Sequence, residues 1–213
     1  MVRFLRGFAA MFMFLCGFSL VNPATAQDFV SKDWELRLTG PGSGFQHTGE
    51  GVALMFRPHL VSKTEWTGGT LSFNWEPSKL PEKADDGRVY GDHLVVFLAS
   101  DGAFREERSY EVKTGIAVRF DSATGDMSVV TAVDGVSFET VKAVKGTGPI
   151  EGPHDVKIMD KEGVIIVSID GSYFISTSVP KESRKGTKWG FYNREPVGNG
   201  RNISILKKIV YTP

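Results

Sequence analysis

Leu94-Val95-Val96-Phe97-Leu98-Ala99 is apolar at every position, a run too short for a buried helix and the right length for a central strand covered on both faces. Toward the N-terminus, Leu71, Phe73 and Trp75 fall on one side of an extended segment, with Ser72 and Asn74 on the other. Trp34 to Leu38 alternates in the same way, and Val52 to Phe56 is mostly apolar. Toward the C-terminus, short alternating or apolar runs follow at 115–120, 127–133, 136–144, 156–159, 164–169, 173–178, 188–193 and 202–211. Gly, Pro or Asp-Gly interrupts them every 8 to 12 residues, and no segment holds helical spacing for three turns. Asp134-Gly135 and Asp170-Gly171 suit the positive φ angles of two-residue hairpin loops. About twelve short strands predict an all-β, two-sheet antiparallel β-sandwich of the jelly-roll kind. An immunoglobulin-like sandwich fits less well, because the strands are too many and no Cys pair brackets a Trp.

Arg3 and Arg6, the apolar run over 7–21 and Ala24-Thr25-Ala26 before Gln27 make the three parts of a cleavable export signal. The apolar run is shorter than the roughly 20 residues that a bilayer span needs. The expected organisation is a signal peptide over 1–26 and one β-sandwich domain over 27–213, periplasmic or secreted, with no membrane span after leader removal. Cys16, the only cysteine, leaves with the leader, so no disulfide is expected. Losing Arg3 and Arg6 leaves 23 basic and 25 acidic residues, without the basic footprint of a nucleic-acid binder. Pro77, Pro81 and Asp85-Asp86-Gly87 mark residues 77–87 as an exposed loop and a candidate site rim.

Asp92 precedes His93-Leu94-Val95-Val96-Phe97-Leu98-Ala99, and Ile116-Ala117-Val118-Arg119-Phe120-Asp121 comes next. Val156-Lys157-Ile158 then turns through Lys161-Glu162-Gly163 into 164–169, and Trp189-Gly190-Phe191-Tyr192 and 203–211 close the series. This order of pieces resembles the concanavalin A-like superfamily of lectins and glucanases, in particular its legume-type (L-type) lectins. The resemblance covers about 120 residues and implies a concanavalin A-like jelly roll with carbohydrate as partner on its concave sheet. Asp92 matches the lectin Asp that accepts sugar hydroxyls, and His93 replaces the Gly that follows it. In the lectins, Glu and Asp of a Glu-Phe-Asp strand help bind a transition metal and calcium. Here Arg119 stands at the Glu position, and Ser122-Ala123-Thr124-Gly125-Asp126 lacks the ligands that follow. A guanidinium cannot ligate a cation, so no cofactor is expected, a structural calcium being the ion the resemblance leaves open. Arg119 and Asp121 share a face and are expected to pair with each other.

Lys188-Trp189-Gly190-Phe191-Tyr192-Asn193 is also similar to the Lys-x-Gly-x-Tyr-Asn strand of alginate-lyase-like jelly rolls, in which the Tyr is catalytic. Period two puts Lys188, Gly190 and Tyr192 on one face, toward the concave groove, and Trp189 and Phe191 in the core. A lyase needs a base for the proton next to a uronate carboxylate and cations for the developing charge. Tyr192 with His154, or with His93, is the candidate catalytic pair, and Arg119, Lys188 and Arg194 are the candidate cations. No Glu-x-Asp-x-Glu strand supports a glycoside hydrolase. The four histidines lack metal-ligand spacing, and no Gly-x-Ser-x-Gly elbow is present. Lys181, Arg184, Lys185 and Lys188 form a basic cluster that reads as a solvated loop or as an attractor of anionic polysaccharide.

The leading expectation is therefore an exported carbohydrate-binding protein whose site includes Asp92, His93, Arg119, Lys188, Tyr192 and Arg194. The alternatives are a polysaccharide lyase or glycoside hydrolase, and a structural or protein-interaction module of the cell envelope whose groove its own side chains fill.

Overall fold

Leu71, Phe73 and Trp75 turn inward and are each at most 3% exposed, while Ser72, Asn74 and Glu76 face outward. That alternation forms one long strand, and thirteen more accompany it in a computed structural model that describes residues 32–37, 44–48, 51–55, 58–77, 93–102, 114–133, 137–194 and 203–213. In chain order they are β1 (Trp34–Arg37), β2 (Gly44–His47), β3 (Gly51–Met55), β4 (His59–Ser62), β5 (Gly69–Pro77), β6 (His93–Ser100) and β7 (Gly115–Asp121). Then follow β8 (Met127–Val133), β9 (Ser137–Val144), β10 (His154–Lys161), β11 (Val164–Ile169), β12 (Ser172–Ser178), β13 (Lys188–Arg194) and β14 (Ile203–Thr212). The predicted leader, Asp92, the loop beyond Pro77 and the Asp134-Gly135 turn lie outside the described residues. No helix among the described residues is long and apolar enough to cross a membrane.

The strands make two seven-stranded sheets, ordered β1-β4-β13-β6-β7-β8-β9 and β12-β11-β10-β5-β14-β3-β2. Every pairing is antiparallel. The expected two-sheet sandwich is therefore the observed one. Two of its strands, β2 and β4, were not among the expected segments. Each has four residues, too few for periodicity to register, and β4 is buried along its whole length by its neighbours.

Positive φ angles close two hairpins as their sequences require. Asp170 and Gly171 (φ 49° and 78°) join β11 to β12, and Glu162 and Gly163 (φ 53° and 87°) join β10 to β11.

Between the sheets lies the main core. Trp34 meets Trp189 edge-on at 5.2 Å, Phe73 meets Phe191 at 5.0 Å, and Trp75 meets Phe120 at 5.5 Å. Trp189 and Phe191 thus point inward, as period two requires. A buried polar chain crosses the same interface. Asn193 on the first sheet donates to the Leu54 carbonyl of the second at 3.1 Å, and Ser204 Oγ donates to Asn193 Oδ1 at 3.1 Å. Trp75 Nε1 donates in turn to Ser204 Oγ at 3.2 Å. A satisfied chain of this kind holds two apolar sheets in one relative register, since any slip leaves buried polar atoms unpaired. At Gly190 a Cβ would stand 2.0 Å from the Leu60 carbonyl oxygen. Only glycine lets β4 lie against β13, and this close approach brings His59 beside Tyr192.

Candidate functional site

The first sheet has a second face, turned away from the core. Val61, Val95, Phe97, Ala117, Ala132 and Tyr192 form a buried apolar cluster on it. Backbone register orders the expected site residues there. His59 lies opposite Tyr192, Tyr192 opposite Val95, and Val95 opposite Arg119, so one row runs across four strands. The adjoining row aligns Arg194, His93 and Asp121. With strands about 4.8 Å apart, Tyr192 and Arg119 are separated by one strand. Arg119 is half-buried. Lys188 is exposed at the start of β13, where a register shift separates it from Gly190. Its charge reaches Glu35, whose carboxyl is held below its ordinary range chiefly by the hydrogen bond from Arg37, with the charges of Arg37, Lys188 and Lys63 adding to it. His93 and Arg194 are placed by register alone.

Tyr192 lies on the expected face and has no exposed surface. Its ring stacks on His59 at 4.4 Å with the planes 14° apart, and His59 is itself 1% exposed. Parallel stacking presents ring faces to each other, while the hydrogen-bonding atoms of both rings lie in the ring planes.

His154 is not brought to Tyr192. It begins β10 on the opposite sheet, with the core between, and facing sheets stand about 10 Å apart. Its Nδ1 lies 2.7 Å from Asp170 Oδ2, and its Nε2 lies 3.1 Å from the Glu151 carbonyl. Asp170 also accepts the Asp155 N–H at 2.9 Å. The hydrogen bond to His154, seconded by that backbone donor, holds the Asp170 carboxyl below the usual range. Of the two histidines the sequence offers Tyr192, His154 stands on the opposite sheet and His93 falls in the adjoining row of the same face, while the imidazole that stacks on Tyr192 is that of His59. The signal for His59 was missing because β4 itself was illegible.

The turn after β7 is closed from within. Asp121 Oδ1 accepts the backbone N–H of Ala123 at 2.9 Å, and Asp126 accepts Lys145 Nζ and the Gly146 N–H. The ammonium, first among these, holds Asp126 below the ordinary carboxylate range. Among the described residues no group of three His, Cys, Asp or Glu side chains is placed to share a metal ion.

Three of the four residues of the basic cluster, Lys181, Arg184 and Lys185, line a cleft of about 660 Å³ at one end of the sandwich, together with Trp66, Gly186 and Thr187. A short 3-10 helix, Lys181–Arg184, carries two of them. Arg184 Nη2 donates to both oxygens of Asp160 at 2.8 Å, and Trp66 Nε1 donates to Oδ2 at 3.1 Å. The Asp160 side chain has no exposed surface, so the guanidinium and the indole replace its hydration. Lys188 does not line the cleft.

No protein-family model and no curated protein matches the sequence. Solved structures do match. The carbohydrate-binding module CBM66 from Bacillus subtilis aligns over 83% of this chain and 93% of its own, with a TM-score of 0.58 and 10% identity. The Bacillus licheniformis beta-glucanase aligns over 85% and 92%, with a TM-score of 0.59 and 13% identity. The exoplasmic/lumenal domain of VIP36, solved with Ca2+ and Man3GlcNAc bound, aligns over 84% of each chain, with a TM-score of 0.58 and 12% identity. At such identities the likeness concerns architecture, and the architecture is the concanavalin A-like jelly roll.

Proposed function

We propose that the protein is an exported carbohydrate-binding sandwich, released to the periplasm or the exterior by removal of residues 1–26. Its sugar site lies at the His93 end of the first sheet's outer face. The observation that carries this reading is the meeting of the Arg194–His93–Asp121 row with the half-buried Arg119, at one margin of a face whose centre is apolar. Sugars present hydroxyls along their edges, and a margin that carries guanidinium and carboxylate groups matches those hydroxyls, while the buried apolar centre holds the margin in place. Fold neighbours that include a carbohydrate-binding module and a lumenal domain with Man3GlcNAc bound support the ligand class. Lys181 and Lys185 in the end cleft, where Arg184 is paired with Asp160 and Glu182 also lines the wall, support a weak, salt-screened attraction for an acidic polymer among the ligands. Binding without chemistry is preferred to a lyase, because Tyr192 offers a substrate no surface and its aromatic neighbour stacks on it.

The test is incubation of the purified protein with neutral and uronate-containing polysaccharides, following both retention and the ultraviolet absorbance of unsaturated products. Retention without product is expected, with Arg119→Ala weakening it about tenfold, the effect of one charge-assisted hydrogen bond. Product formation that disappears in Tyr192→Phe establishes a lyase instead.

A further inference from the structure

The second sheet also has an outer face, and its composition is different. Register aligns Val210, Ser72, Lys157, Ser168 and Tyr173 in one row across five strands, β14, β5, β10, β11 and β12. At four strand spacings the row is about 19 Å long. Its two ends carry two of the three large apolar side chains that stand exposed among the described residues, Tyr173 at 74% and Val210 at 55%. The third, Phe174, adjoins Tyr173. Between those ends runs a shallow groove of about 270 Å³ lined by Ser72, Asn74, Asp155, Lys157, Ser168 and Lys208.

Irregular backbone shapes both ends of this row. A register shift between Val167 and Ser168 pairs Ser168 with Tyr173 and Val167 with Ile175, leaving Phe174 as the extra residue. Another shift falls between Lys207 and Val210, where Lys208 adopts φ 50°. A lysine in that region costs on the order of 1 kcal/mol or more, and bulges re-aim side chains where a sheet meets a ligand.

We propose that this row is a second carbohydrate-binding surface, which takes a neutral glycan chain lying across the strands. Tyr173, with Phe174 beside it, stacks on the C–H face of a sugar ring. Asn74, Asp155, Lys157 and Ser72 exchange hydrogen bonds with hydroxyls along the chain. The ligand class rests on the carbohydrate reading above, while the location is independent of it. A sugar fits better than a protein because the floor is polar and mixed in charge. A stable protein interface buries roughly 800 Å² per partner around an apolar centre, and here the apolar residues Phe73 and Val156 lie buried beneath the floor.

The test is affinity electrophoresis through neutral glucans, mannans and galactans, run on the wild type and on Tyr173→Ala, Tyr173→Phe, Asn74→Ala and Arg119→Ala. Thermal unfolding and sedimentation are measured on the same samples. Tyr173→Ala is expected to weaken retention about tenfold, the scale of one lost aromatic stack, with the unfolding midpoint unchanged. Tyr173→Phe keeps most of the retention, and Asn74→Ala loses part of it. Wild-type retention in Tyr173→Ala and Asn74→Ala, with loss in Arg119→Ala, overturns this surface and leaves the first-sheet site standing. No retention of the wild type on any polymer overturns both. Self-association that Tyr173→Ala abolishes, without effect on any polymer, makes the face an interface between copies of the chain and also overturns the proposal.

Discussion

The two outer faces of the sandwich obey the same alternation and reach opposite results. On the first sheet the outward positions of β6 and β13, Val95, Phe97 and Tyr192, are fully buried. On the second, the outward positions of β5 and β10 are Ser72, Asn74, Asp155 and Lys157, all at least partly exposed. A strand wet on one side alternates in sequence, whereas a strand covered on both sides reads as one apolar run. Alternation therefore reports what covers a strand as much as that it is a strand, and the first sheet belongs to a core with two layers.

That contrast can be broken by mutation. Phe97→Ala is expected to destabilise the protein by about 4 kcal/mol in urea unfolding, as truncation of a fully buried aromatic does. A loss under about 1 kcal/mol would mean that the outer face of the first sheet is not core at all. Asp160→Ala comes next, at about 3 kcal/mol, because it leaves the Arg184 guanidinium and the Trp66 N–H without their buried acceptor. A near-neutral result would reduce that network to a surface pair.

Acid gives a smaller effect. Asp170 and Asp126 both have folded pKa values below their unfolded ones. Their contribution to stability is present above the unfolded value of about 3.9 and fades as the pH falls through the lower folded value. Asp170→Asn should therefore lower stability at neutral pH and flatten its decline in acid, as followed by unfolding midpoints between about pH 6 and pH 2. Both carboxylates are partly exposed, so the change is modest. Smallest of all, Ser72→Ala on the polar face should stay within about 0.5 kcal/mol of wild type in the same unfolding assay. A larger cost there would mean that the second sheet's outer face is also packed.

Much of the architecture was legible because it rests on local pattern. The inward turn of Trp189 and Phe191, the two-faced burial of β6 and the Asp170-Gly171 hairpin each follow from a few neighbouring residues. The candidate site was less legible, since it depends on which strands lie side by side. Nothing in His59–Ser62 announces a strand that pairs with β13, so the ring that stacks on Tyr192 is invisible in the sequence, which offers His154 or His93 as its partner; His154 has the opposite sheet and Asp170 for company. The Arg184–Asp160–Trp66 network joins residues 24 and 94 positions apart, beyond the reach of any spacing rule. The basic cluster was visible as charge, while its cleft exists only because two distant connections meet around Gly186 and Thr187.

The strand order has a consequence for how the chain acquires its shape. In the first sheet β13 sits between β4 and β6, and in the second β14 sits between β3 and β5. Each sheet thus has a place near its middle that a strand late in the sequence fills. Strands β1 and β4 have no link to the rest of their sheet, and β2 and β3 none to theirs, until those late segments arrive. Folding must await β13 and β14 and close the long loops that bring them between earlier strands, which predicts a slow, all-or-none transition. A chain without β13 and β14 would keep neither sheet intact, because these two strands alone tie β1, β2, β3 and β4 to their sheets.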